Sequence, residues 1–136
     1  MFKKILVPTD SSEFSRKALR MALDLAKTHG SEIELITVQQ AVHYYDIAIT
    51  MTDEELIAHG KRILKITTQD LPVDTTLKEK VIIGTPVLAI LEEIEKEDID
   101  LVIMGQHGYG AITGTIMGSV SLRVLHRTKC PVLIVK

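Results

Sequence analysis

Apolar residues fall along the chain in two alternating kinds of run. Short, consecutive, largely β-branched stretches occur at Ile5-Leu6-Val7, at residues 33–38, at 75–83 ending Val81-Ile82-Ile83, at 99–104, and at Pro131-Val132-Leu133-Ile134-Val135. Between them apolar positions recur at helical spacing. In residues 12–29, Ser15, Ala18, Leu19, Ala22, Leu25 and Ala26 share one face, and Gly30 is placed to stop the helix. Thr52-Asp53-Glu54-Glu55 is a Thr-x-x-Glu capping box, so a second helix starts there with Leu56, Gly60, Ile63, Leu64 and Thr67 inward. Gly84-Thr85-Pro86 turns the third strand into a third helix, with Thr85 at the N-cap and Pro86 at the first helical position. A short fourth helix runs over about 118–127. Residues 39–51 have no clean period and read as a loop long enough to serve as a lid or contact segment.

Continuous apolar strands, as opposed to alternating ones, are the pattern of strands covered on both faces. Strand–helix alternation with two-sided burial predicts a parallel α/β sandwich with right-handed crossovers. The chain has 136 residues, the size of one domain spanning 1–136, and shows no repeat or linker.

Composition narrows the function classes. The chain is 46% hydrophobic, 25% charged and carries a net charge of −2, so no global positive field exists to hold nucleic acid or anionic lipid. A single cysteine, Cys130, makes no internal disulfide. The apolar run near the N-terminus is three residues long, against ~7–15 for a secretory signal and ~20 for a membrane helix, and the expectation is a cytosolic protein.

The chemistry concentrates after the fourth strand, in Met104-Gly105-Gln106-His107-Gly108-Tyr109-Gly110-Ala111-Ile112-Thr113-Gly114-Thr115-Ile116-Met117-Gly118-Ser119-Val120-Ser121. This segment joins the carboxyl end of a buried strand to the start of a helix, the place where open parallel sheets bind ligands. Its glycines allow close backbone approach, and Gly118-Ser119 opens a helix whose free amides and dipole favour an anion. Ser119 and Ser121 add hydroxyls at the same end. The glycines also fit a plain long connection that needs them to turn. From Gly105 to Leu122 there is no Lys, Arg, Asp or Glu. A phosphate here would be held by neutral donors, without the Lys, Arg or carboxylate-held metal of phosphoryl transfer. Walker A, the Rossmann fingerprint, His-Glu-x-x-His and Gly-x-Ser-x-Gly are all absent, and no metal-ligand set or catalytic group is assigned.

With that spacing laid out, the chain resembles the universal stress protein family, ATP-binding branch. Gly105, Gly108, Gly118 and Ser119 meet the pattern Gly-x2-Gly-x9-Gly-Ser/Thr. Met104 before the loop, the opening Ile5-Leu6-Val7-Pro8-Thr9-Asp10, Gly84-x-Pro86 and the closing Cys130-Pro131-Val132-Leu133-Ile134-Val135 are typical of it too. The resemblance implies an open five-stranded parallel sheet in order 3-2-1-4-5 with helices on both faces, of the adenine nucleotide alpha hydrolase-like type. It implies ATP, AMP or another adenine nucleotide bound across the tips of strands one and four, with any Mg²⁺ carried by the nucleotide. Pro8, Thr9, Asp10 and Val38 would face the adenosine. Met104, Gly105, His107, Gly108, Gly118, Ser119, Val120 and Ser121 would line the loop that cradles ribose and phosphates. Asp10-Ser11-Ser12-Glu13 also reads as a helix N-cap with Glu at N3, and Val38 as core. Tyr44 and Tyr45 read either as a cover for the base or as exposed loop aromatics.

Two further expectations concern charge and assembly. Glu92, Glu93, Glu95, Glu97, Asp98 and Asp100 read as a solvated helix end, and Arg123, His126, Arg127 and Lys129 as charges matched to a helix C-terminus. In the implied order strand five is an unguarded apolar edge, which predicts a two-fold homodimer on residues 131–135 with Cys130 as a buried, inert thiol. The function expected is an ATP-binding stress-response or signalling module with little or no hydrolysis. The alternatives are a slow ATP-hydrolysing or adenylyl-transferring enzyme on the same fold, and an interaction protein with a vacant pocket. No nucleic acid or membrane partner is expected, and protein partners are unassigned.

Overall fold

The computed structural model describes residues 2–41, 51–108 and 117–136. Tyr44, Tyr45 and the central glycines Gly110 and Gly114 lie outside the described residues. The elements are β1 (Lys4–Pro8), α1 (Glu13–His29), β2 (Glu32–Gln39), α2 (Asp53–Thr68), β3 (Leu77–Ile83), α3 (Pro86–Lys96), β4 (Leu101–Gly105), α4 (Ser119–Arg127) and β5 (Val132–Val135). The five strands form one parallel sheet in the order β3-β2-β1-β4-β5.

Alternation along the central strands divides the interior into two cores. Ile5, Val7, Ile33, Leu35, Leu101 and Ile103 pack under α1 and α2 with Leu19, Leu23 and Leu64. Leu6, Ile36, Val102 and Met104 pack on the opposite side under α3 and α4 with Val87, Ile90, Ile94 and Val124. β1 and β4 are apolar at successive positions because each face has its own helical layer, and β2 follows the same pattern over residues 33–36 except at the buried Glu34.

Local chemistry sets the boundaries. Ser12 caps α1 by accepting the Ser15 amide, and Gly30 ends it at φ 69°. Asp10 therefore stands two residues ahead of the cap, not at it, and accepts the Ser12 amide through Oδ1 at 2.9 Å. The Thr52–Glu55 capping box of α2 forms in both directions, Thr52 Oγ1 accepting the Glu55 amide and Glu55 Oε2 accepting the Thr52 amide. Leu23 takes the fully inward place expected of Leu25, which packs half-buried against the same core, and Ile63 is likewise half-buried. Gly60 brings α2 close to the sheet: a methyl there would lie 2.5 Å from Val81 Cγ1.

In the acidic stretch around α3, Glu92, Glu95 and Asp98 are exposed as expected of a solvated helix end, and Glu93 departs from that reading. Glu93 is only 5% exposed and, with the 6%-exposed Glu34 of β2, converges on Lys80 of β3. Lys80 Nζ bonds Glu93 Oε1, lies 3.1 Å from Glu34 Oε1 and 3.7 Å from Glu97 Oε1. Two buried carboxylates share one cation, and their charges separate accordingly. Burial and the hydrogen bond to Glu93 push Glu34 up to about 7. Although burial opposes it, the hydrogen bonds from Glu34 and Lys80 hold Glu93 below the usual carboxylate range. Glu34 is thus the proton carrier of the pair and Glu93 the anion facing lysine. Asp100, farther along, accepts the Lys3 and Lys4 amides at 2.8 and 3.2 Å. At α4, His126 and Arg127 sit in the last turn, matching the dipole.

The two sheet edges differ. β3 exposes Lys78 and Glu79 along its length, charges that discourage strand pairing. β5 is uncharged and leaves Leu133 exposed, with Leu122 and Leu125 exposed on the neighbouring α4.

Candidate functional site

The carboxyl ends of β1 and β4 lie side by side, and the turns that leave them form two walls of one cavity. In the β1–α1 turn, Ser11 takes φ 67°, a left-handed conformation that costs a serine some strain and turns the chain sharply into α1. Thr9 is buried; its amide donates to the Ile36 carbonyl at 2.8 Å and its Oγ1 accepts the Ser11 amide at 2.9 Å. Asp10 Oδ1 takes the Ser12 amide and, at 3.2 Å, the Ser15 hydroxyl. Two donors on one oxygen fix the carboxylate plane and turn Oδ2 toward the β4 loop.

The second wall begins at Gly105, where a Cβ would fall 2.7 Å from the Phe14 backbone. Strand β4 and the start of α1 meet there without room for a side chain. A Cβ on Gly108 would collide with Asp10 Oδ2, so glycine at 108 is what lets the loop and the carboxylate stand together. His107 is buried, its ring edge-on to Phe14 at 5.2 Å and 75°. The loop returns at Gly118, whose amide donates to the Gln106 carbonyl at 2.8 Å. Ser121 is buried and donates its hydroxyl to the Gly105 carbonyl at 2.8 Å. That bond spends the proton expected for a ligand on holding α4 against β4. Gly118 is the N-cap of α4 and has no side chain to offer, so the opening amides of Ser119 and Val120 have no intrahelical partner, and both residues line the cavity.

The cavity, open at its mouth, has a volume of about 460 Å³, within the range of small-molecule sites. All twelve residues selected from the sequence line it: Pro8, Thr9, Asp10, Val38, Met104, Gly105, His107, Gly108, Gly118, Ser119, Val120 and Ser121. Val38 both lines it and packs half-buried on the core under α3 and α4. Four more lining residues were not singled out: Ser15, Pro86, Ile90 and Met117. Ser15 carried a readable signal, a polar residue on the apolar stripe of α1. Pro86 and Ile90, one helical turn apart, depend on where α3 packs. Pro8, Val38, Pro86, Ile90 and Met104 form an apolar flank, while the α4 amides and the serines form a polar end. Among the described lining residues there is no Lys or Arg, and Asp10 is the one carboxylate. Among the described residues no group of three His, Cys, Asp or Glu is placed to hold a metal. None of the described helices is long and apolar enough to cross a membrane.

Known proteins of this shape place the chain. The sequence profile of the Universal stress protein family matches residues 1–136. Universal stress protein MJ0531 of Methanocaldococcus jannaschii is 30% identical over 145 residues, covering 100% of this chain and 83% of its own. Among solved structures, hypothetical protein MJ0577, from the same organism, superposes with a TM-score of 0.79 at 27% identity, covering 100% of this chain and 96% of that one. A universal stress protein crystallised in complex with cAMP has the same fold at 24% identity and a TM-score of 0.70, covering 99% of this chain and 97% of its own.

Proposed function

The chain belongs to the universal stress protein family, and from that premise we propose that it binds an adenine nucleotide, ATP foremost, in the cavity between the β1 and β4 turns. The observation that carries this reading is the composition of the wall. An uncapped helix N-terminus at Gly118 stands at one end of a cavity whose other flank is apolar, with no lysine or arginine among the described lining residues. Phosphates fit the amide end, where unpaired N–H groups and the helix dipole favour negative charge. The base fits the apolar flank, and Asp10 accepts from a donor on the nucleoside. Any Mg²⁺ would arrive on the nucleotide.

Holding ATP and cleaving it ask for different walls. Phosphoryl transfer needs cations or a carboxylate-held metal at the transferring group. A charge-assisted bond is worth ~1.5–3 kcal/mol, and such chemistry uses several. The described lining supplies none from lysine or arginine, so bound nucleotide acts as a signal and hydrolysis is slow or nil. The protein would work in the cytosol as a homodimer through residues 131–135, its dimer surface or partner affinity set by the nucleotide.

The test is direct. Protein purified without added nucleotide is denatured, its supernatant read at 260 nm and analysed by mass spectrometry, and affinities for ATP, AMP and cAMP are measured by calorimetry. Replacing Gly118→Val together with Ser119→Ala should weaken ATP binding at least tenfold, since the branched side chain crowds the amide end where Gly118 approaches Gln106 and His107. Unchanged ATP affinity in a folded double variant overturns the reading. Turnover near 1 s⁻¹ with Mg²⁺, within the ordinary enzyme range, would favour the enzyme alternative.

A further inference from the structure

Asp10 is held from behind by a file of buried hydroxyls that begins on another element. Thr67, in the last turn of α2, is fully buried, and its Oγ1 lies 2.8 Å from Thr9 Oγ1. Thr9 Oγ1 is 2.9 Å from Ser15 Oγ, and Ser15 Oγ is 3.2 Å from Asp10 Oδ1. Three hydroxyls thus run unbroken from α2 to the one carboxylate among the described lining residues. Arg16 fastens the same joint from outside, donating to the Gln69 carbonyl at 2.6 Å beyond the end of α2.

The direction of these bonds has a physical bias. The Thr67 proton has two takers, the Ile63 carbonyl at 2.7 Å and Thr9, and so has the Ser15 proton, the Ser12 carbonyl at 2.9 Å and Asp10 Oδ1 at 3.2 Å. A negative charge at the far end favours the arrangement in which Thr67 donates to Thr9, Thr9 to Ser15 and Ser15 to Asp10. Each link in such a chain polarises the next, and burial strengthens all three. For helix packing alone, valine would fill the same volume as Thr67 without placing a hydroxyl in the interior.

We propose that Thr67 and Ser15 are positioning residues for nucleoside recognition, acting through Asp10. An ionised carboxylate only accepts, so the group it reads is an O–H or N–H donor: a sugar hydroxyl or the amino group of the base. The phosphates lie outside its reach of recognition, because a carboxylate repels them. The proposal rests on the nucleotide reading of this cavity, in which Asp10 accepts from the nucleoside, and adds the residues, one of them outside the cavity, that aim it.

The experiment measures calorimetric affinities of the full chain for ATP and for inorganic tripolyphosphate, which lacks the nucleoside. Thr67→Val should raise the Kd for ATP about fivefold, the factor one neutral hydrogen bond commands, and leave that for tripolyphosphate unchanged. Ser15→Ala should do the same or more, and Thr67→Ser, which keeps the hydroxyl, should stay within twofold of wild type. General loosening of the fold would weaken both ligands together, and that outcome overturns the proposal. So does a Thr67→Val protein with wild-type ATP affinity, or a Thr67→Ser protein as weak as Thr67→Val. Failure of the wild type to bind ATP at all overturns the nucleotide reading and this proposal with it. Loss of discrimination between the variants, with wild-type binding intact, overturns the relay alone.

Discussion

Replacing Glu34→Gln should flatten the dependence of stability on pH. In the native protein burial and Glu93 push Glu34 up from 4.5 to about 7, so the folded state holds a proton that the unfolded chain releases near 4.5. Each unit of such a difference is worth 1.36 kcal/mol. The full effect therefore approaches about 3 kcal/mol, present below pH 4.5 and lost as pH rises through 7. Glu93 works in the opposite sense: its lowered value contributes stability above the ordinary carboxylate range that is lost on acidification. Lys80, Glu97 and the nearby Lys96 complete the set of charges on the pair, with the more exposed Lys78–Glu32 bridge beside it. The net expectation is a stability maximum near the ordinary carboxylate value of 4.5 and a decline from there to about pH 7. Glutamine keeps the shape and the donor toward Glu93 but has no proton to lose. Urea denaturation at half-unit steps from pH 5 to 8.5 decides the matter, because subtracting the two curves cancels the titrating groups outside the Glu34–Glu93–Lys80 cluster. Wild type should fall relative to Glu34→Gln by about 2–3 kcal/mol across that range, roughly 10 °C in Tm for a chain of this size. Parallel curves would refute the assignment of the proton to Glu34.

Two loop glycines should separate affinity from stability. Gly105→Ala pushes a methyl into the Phe14 backbone, which cannot yield, and should cost roughly 1–3 kcal/mol of stability. Gly108→Ala meets only the end of the Asp10 side chain, so Tm should hold within a few degrees while ATP affinity falls as Asp10 swings off its donors; equal effects of the two on Tm would contradict this. The apolar β5 edge with Leu133, Leu122 and Leu125 exposed should pair with a second copy, so light scattering at micromolar concentration should give twice the chain mass, and Ile134→Lys should return it to one.

Much of the fold was legible because the signals were local. Apolar β-branched runs announce strands buried on both sides, and Gly30 and the Thr52–Glu55 box mark helix ends by their own chemistry. The β4-loop residues of the cavity were legible because they form one glycine-rich segment at a sheet end, whereas Pro8, Thr9, Asp10 and Val38 came only with the family resemblance. Ser15, Pro86 and Ile90 reach the same space from helices, through packing that no single segment states. Glu93 shows the limit most clearly. Six acids in a short stretch read as a solvated end, and only the sheet brings Lys80 and Glu34 beneath one of them. Asp10 and Ser12 are both good capping residues, and the left-handed turn at Ser11 decides between them by carrying Asp10 past the helix axis.

Gly60 has a reach that its distance from the cavity hides. It lies two helical turns, roughly 10 Å, before Thr67 on the same rigid rod. Val81, stiff about χ1, is the fulcrum on which that rod rests. The missing side chain at residue 60 therefore calibrates how low the far tip of the lever hangs over Thr9. A methyl at residue 60 would press on Val81 and move α2 off the sheet, carrying the Thr67 hydroxyl away from Thr9. What residue 60 tolerates therefore bears on the Thr67–Thr9 contact at the far end of the helix as well as on packing against Val81.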